Sequence, residues 1–165
     1  MKKVILIFIS VYINLYAQLP AWIVKGEMPI PVAGAASTVH SGNIYVLGGY
    51  SSITQSNVDY IQKYNPSLTL WKIIAHMNNS RFGFWGGVES DAVYYFGGLS
   101  DTAANSSTLE LWNIGAPIAT ADTNKNFNRI FSSAILDNDR IFIFGGNSSG
   151  DAGVQKIPYI VEYQI

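Results

Sequence analysis

The chain has 165 residues, of which 11 are acidic and 10 basic, giving a net charge of −1, and it contains no cysteine. Such a balance excludes the basic surface that nucleic-acid binding needs. The missing thiols exclude disulfides, thiolate metal sites and cysteine catalysis, so the fold must hold by burial alone.

The chain opens with Lys2-Lys3, a nearly uncharged stretch at 4–16 and a small residue, Ala17. The stretch is too short for the roughly 20 residues of a membrane-spanning helix and reads as a secretory signal, residues 1–17. Its removal leaves residues 18–165 with a net charge of −3. The expected localisation is secreted or periplasmic, with no membrane attachment once the signal is gone.

From there the chain repeats itself. Apolar runs at 44–47, 93–96 and 141–144 each end in a glycine doublet, Gly48-Gly49, Gly97-Gly98 and Gly145-Gly146, spaced 49 and 48 residues apart. Before each run lies a segment of small residues, at 34–39, 83–88 and 132–136, joined to it by a polar turn such as Ser41-Gly42-Asn43. Small residues there suit a crowded position near an axis. The runs are continuously apolar rather than alternating, which predicts strands buried on both faces. After the first doublet come Val58, Tyr60, Ile61, Tyr64-Asn65-Pro66, Trp71 to Ile74, and Met77. Four short strands per repeat and no helical period predict an all-β fold of stacked blades, a β-propeller.

In these features the chain resembles the kelch family, whose repeats run from an Arg through a small-residue strand to Gly-Gly, then Tyr-Asp-Pro, Trp and a Met-Pro-like turn. The first repeat carries Gly48-Gly49, Tyr64-Asn65-Pro66, Trp71 and Met77-Asn78; the segment from Trp22 to Met28-Pro29 reads as the fourth strand of a preceding blade. The second repeat departs, with Trp112-Asn113 in place of Tyr-Asp, and the third places Val161, Glu162 and Tyr163 near its third strand. Counting strands gives about three four-stranded antiparallel blades. Propellers have 4 to 8, so the expectation is an incomplete ring: part of a longer propeller, or a homodimer whose two copies complete a six-bladed ring. The strand count also suggests the closure that the resemblance implies, in which the N-terminal strand completes the sheet of the last blade and hides an edge.

Counting back 16 residues from each doublet reaches Arg81 and Arg129, with Val32 in the first repeat. The resemblance implies that such arginines face the channel mouth and contact acidic or hydroxylated ligands. Two guanidinium groups on adjacent blades would favour an acidic peptide or a sugar acid, whereas the competing role is hydrogen bonding to loop carbonyls between blades. Phe82, next to Arg81, either stacks on a ligand or fills the channel. Tyr45, Tyr64, Trp71, Tyr94, Phe142 and Phe144 sit at repeat positions that blade packing explains.

No catalytic set emerges. His40 and His76 lack partners at metal-ligand spacing, the carboxylates Glu89, Asp91, Asp137 and Asp139 fall in turns, and no cofactor motif is present. The resulting expectation is a noncatalytic binding or protein-interaction module. The alternative implied by the resemblance is a carbohydrate-active enzyme of the sialic-acid mutarotase type, active only as a complete ring.

Overall fold

The computed structural model describes residues 22–101, 108–122, 128–150, 153–156 and 160–165; the expected signal segment lies outside them. Every described element is a strand, and no described helix is long and apolar enough to cross a membrane.

The first sheet comprises β1 (Ala36–His40) and β2 (Asn43–Leu47), followed after a short ribbon of β3 (Tyr50–Ser51) and β4 (Ser56–Asn57) by β5 (Tyr60–Asn65) and β6 (Leu70–His76). Its spatial order is β1-β2-β5-β6, antiparallel throughout. The second sheet holds β7 (Trp85–Glu89), β8 (Ala92–Phe96), β9 (Leu109–Asn113) and β10 (Thr120–Asp122) in chain order. The third contains β11 (Ser133–Asp137) and β12 (Arg140–Phe144), then a hairpin of β13 (Asn147–Gly150) and β14 (Gly153–Lys156), and finally β15 (Ile160–Gln164) beside β12. Two-residue turns such as Ser41-Gly42, with φ of 47° and 71°, join the first two strands, because only left-handed backbone matches the strand twist across so short a loop.

The sheets pack face to face. Tyr45, Leu47 and Ile61 of the first meet Val93, Tyr95 and Trp112 of the second. Phe96 and Leu109, on the opposite side of that second sheet, meet Ile141 and Ile143 of the third. Each fully buried side chain of this size contributes about 1.5–3 kcal/mol of transfer free energy. The innermost strands gather at one edge, where β7 touches both β1 and β11. A Cβ added at Gly86 would stand 3.1 Å from the Ala36 Cβ, so the small-residue pattern of the inner strands answers to crowding as expected.

Two expectations need correction. The third apolar run is not buried on both faces: Ile141 and Ile143 are covered, but Phe144 is exposed, because no further sheet among the described residues packs against that side. Residues 22–28 also form no strand, and Trp22, Ile23 and Val24 are exposed, because a strand needs a neighbouring ladder and none is beside them. Among the described residues the three sheets hold four, four and three strands and do not close into a ring.

Candidate functional site

The lead-in to each inner strand and the residue after each doublet meet at one end of the sheets, paired as Ala33 with Tyr50, Phe82 with Leu99, and Ile130 with Asn147. The doublets fasten successive blades there. The Gly49 amide donates to the Arg81 carbonyl at 2.8 Å, and the Gly98 amide donates to the Arg129 carbonyl at 2.8 Å. Gly49 has a φ of 98°, and a Cβ on it would lie 2.9 Å from the Ala33 oxygen, so both conformation and space require glycine.

Arg81 lies beneath this face with no exposed surface. Its guanidinium donates to the Gly97 carbonyl at 3.1 Å and to Thr108 Oγ1 at 3.1 Å, and it forms an ion pair with Glu110, which is also fully buried. Glu110 accepts further bonds from the Tyr95 hydroxyl at 2.8 Å, the Asn78 amide at 3.1 Å and Asn79 Nδ2 at 3.1 Å. The guanidinium carbon stands 5.5 Å from the Tyr95 ring centroid and 6.0 Å from that of Phe84, while Nε has no partner. Burial draws the guanidinium down to about 10, which leaves it charged at neutral pH, and burial pushes the Tyr95 phenol up.

The structure thus places Arg81, expected at the channel mouth, in a buried network within the chain. The acid it pairs with is already in the chain, and a ligand carboxylate would have to displace Glu110 from a site without solvent. Arg129 repeats the carbonyl bond, donating to Gly145 at 2.9 Å, and is likewise buried. Both arginines thus bond the first glycine of their own doublet, the carbonyl role that the sequence left open.

Glu110 and its counterparts escaped the sequence reading. Sheet register aligns Gln62, opposite Val46, with Glu110, opposite Tyr95, and with Val161, opposite Ile143. Gln62 does for the first blade what Glu110 does for the second: its amide accepts from the Ile30 N–H at 2.9 Å and donates to the Ile30 carbonyl at 2.8 Å. Loops of unequal length separate these residues from their doublets, so no fixed offset marks them.

Two phenylalanines also stand at this face. Counting back 14 residues from each doublet reaches Gly34, Gly83 and Phe131, all left-handed, with φ of 62°, 67° and 52°. They are linked in series: the Gly83 amide donates to the Gly34 carbonyl at 2.7 Å, and the Phe131 amide donates to the Gly83 carbonyl at 2.7 Å. Phe131 is 59% exposed and meets the Phe82 ring edge-on, with centroids 5.9 Å apart and planes at 74°. Phe82 itself is half-buried. The structure thus brings Phe82 to the loop face and adds Phe131, which the sequence analysis did not single out although its offset from Gly145 marks it.

The histidines lie elsewhere, with His40 3.1 Å from Asp91 and His76 3.1 Å from Asp59. Among the described residues no three metal-ligating side chains cluster.

Residues 31–78 match the family model of the Kelch motif. The chain is similar to Kelch-like ECH-associated protein 1B of Danio rerio, 32% identical over 80 residues that make up 47% of this chain and 14% of that protein. It is also similar to Kelch repeat and BTB domain-containing protein 1 of Camelpox virus (strain CMS), 30% identical over 84 residues, 48% of this chain and 14% of the relative. The protein of that name from Ectromelia virus (strain Moscow) is 29% identical over 91 residues, 53% of this chain and 16% of the relative. The matches thus span only about a seventh of the length of these relatives.

Proposed function

From a chain built of kelch repeats, we propose a noncatalytic protein-interaction module of a secreted propeller, whose contact surface is the loop face around Phe82 and Phe131. The observation that carries this reading is Phe131 in a left-handed backbone where the other two repeats have glycine. A β-carbon in that region costs about 1–2 kcal/mol. The ring is nonetheless largely exposed, so its own packing returns only part of that cost. Strain kept at an exposed aromatic residue on a loop face is the pattern of a contact residue. Rigid aromatic anchors of this kind dominate binding energy at protein interfaces.

With Arg81 and Arg129 buried, the exposed Phe131 and half-buried Phe82 favour an apolar or aromatic side chain of a protein partner. Secretion follows from residues 1–17 and rests on them alone.

The test uses a displayed peptide library selected on the chain. Selected peptides should lose about tenfold or more in affinity with Phe131→Gly or Phe82→Ala, the loss of one aromatic anchor. They should ignore Lys72→Ser on β6. Phe131→Gly should leave the melting temperature nearly unchanged, since relieved backbone strain offsets a lost ring contact of about 0.5–1.5 kcal/mol. Peptides indifferent to both phenylalanines would move the contact surface elsewhere.

A further inference from the structure

A groove of about 230 Å³ lies on the first sheet, lined by Lys63 and Asn65 of β5, by Leu70, Lys72 and Ile74 of β6, and by Leu68 of the turn between them. It occupies the side of that sheet which packs on the second, because Lys63 is in register with Tyr45, whose ring meets that of Trp112 with centroids 5.7 Å apart. Toward the outer strand this side emerges from the core, and Leu70, Lys72 and Ile74 are exposed.

Two lysines stand directly opposite each other here, Lys63 on β5 and Lys72 on β6. Residues so paired have β-carbons about 5 Å apart, and like charges at that register destabilise a sheet. Among the described residues no carboxylate pairs with either. A lysine on an outer strand guards its edge against other chains, which accounts for Lys72. It does not account for Lys63, whose strand is flanked by β2 and β6. Lys63 is half-buried, and its ammonium stands 5.8 Å from the Tyr45 ring centroid, which keeps it against the sheet.

The remaining lining adds a donor and an apolar wall. Asn65 Oδ1 accepts from the Leu68 N–H at 3.0 Å, which leaves the Nδ2 hydrogens to donate elsewhere. Leu68, Leu70 and Ile74 supply the wall, and no carboxylate lines the groove. Its volume falls between the roughly 150 Å³ that holds one benzene molecule and the roughly 300 Å³ at which drug-sized pockets begin. That is room for one charged headgroup and a few carbons.

We propose that this groove binds a small organic acid, a carboxylate on a short apolar chain, with the carboxylate between Lys63 and Lys72 and the chain along Leu68, Leu70 and Ile74. The anion converts a repulsive pair into two charge-assisted hydrogen bonds, and Asn65 Nδ2 offers a third donor. A free small acid is the favoured occupant because the groove has the size of the whole ligand and matches both its charge and its apolar part. The site shares no residue with the aromatic contact surface and does not rest on it.

Hexanoate is the probe, titrated into the ¹⁵N-labelled chain at low salt and followed by amide chemical shifts. Saturable shifts should concentrate on β5, β6 and the turn at 66–69. Hexanamide, which lacks the charge, and acetate, which lacks the chain, should each bind about tenfold more weakly or worse. Lys72→Gln should weaken hexanoate by about tenfold without lowering the melting temperature, since it also removes a like-charge pair. Phe131→Gly should leave hexanoate binding unchanged, which separates this site from the aromatic surface. Hexanamide equal to hexanoate would reduce the site to an apolar patch, and acetate equal to hexanoate would reduce it to general anion attraction; either result overturns the proposal, as would shifts that do not saturate. The three ligands on the wild-type chain decide even where a variant folds poorly.

Discussion

The first and second blades tie their lead-in segments to their third strands at the same register but with different chemistry. In the second, Glu110 gathers Arg81, Tyr95, Asn78 and Asn79 into a buried charged network. In the first, Val32 replaces the arginine and Gln62 replaces the glutamate, holding both polar groups of Ile30 with one neutral amide. The comparison shows that the charge is not what the fold needs at this position. The fold needs the backbone groups of the lead-in satisfied where water cannot reach, and a carboxylate placed there requires a cation in turn.

That comparison is most sharply broken by removing one partner only. Arg81→Ala leaves Glu110 buried and uncompensated and should cost about 3–5 kcal/mol, read by denaturant unfolding. A loss below about 1 kcal/mol would mean that the pair is not buried in solution.

Tyr95→Phe removes one donor to Glu110 and should cost about 1.5–3 kcal/mol at neutral pH, as for a hydrogen bond to a charged group. It also carries a pH signature. The folded phenol has a raised pKa, so its contribution is complete below about pH 10 and falls as pH rises further, because the unfolded chain releases that proton first. The stability gap between wild type and Tyr95→Phe should therefore narrow above pH 10. A gap that stays constant to pH 11 would show an exposed phenol.

The smallest effect sharpens the comparison instead of breaking it. Arg81→Val combined with Glu110→Gln transplants the first blade's pair into the second and should cost only about 1 kcal/mol, well under the single Arg81→Val change. Equal costs for the single and double variants would mean that the two residues do not act as a unit.

The third blade adds a contrast of its own. Arg129 keeps the bond to Gly145, but Val161 stands in the glutamate's place, and the side of the sheet beyond Phe144 is uncovered. Its exposed Ile160 and Phe144 have the same apolar character as the covered Leu109 and Phe96, so their exposure follows from what packs beside them.

Much of this was legible in the chain. The doublets at a near-constant period announced the blades, and the small residues before each run announced the inner strands, because both answer to local demands on backbone conformation and space. Arg81 was legible as a special position but not in its role, since an arginine reads the same whether its partner is a ligand or Glu110, which lies 29 residues away. Phe131 was missed for a similar reason: its significance lies in a backbone angle shared with Gly34 and Gly83. Residues 22–28 carry the strand pattern of a fourth strand, yet a pattern makes a strand only where a ladder is offered.

By itself the sequence determined the all-β class, the repeat and the sites of the turns, because glycine at a left-handed position and apolar runs of strand length are properties of single residues and their spacing. Tertiary structure alone decided which acid meets Arg81, which amide substitutes for it in the first blade, which ring stands exposed on the loop face and which edges stay open. Those depend on register across sheets joined by loops of unequal length, and no spacing along one chain encodes which residues a closing ladder brings face to face.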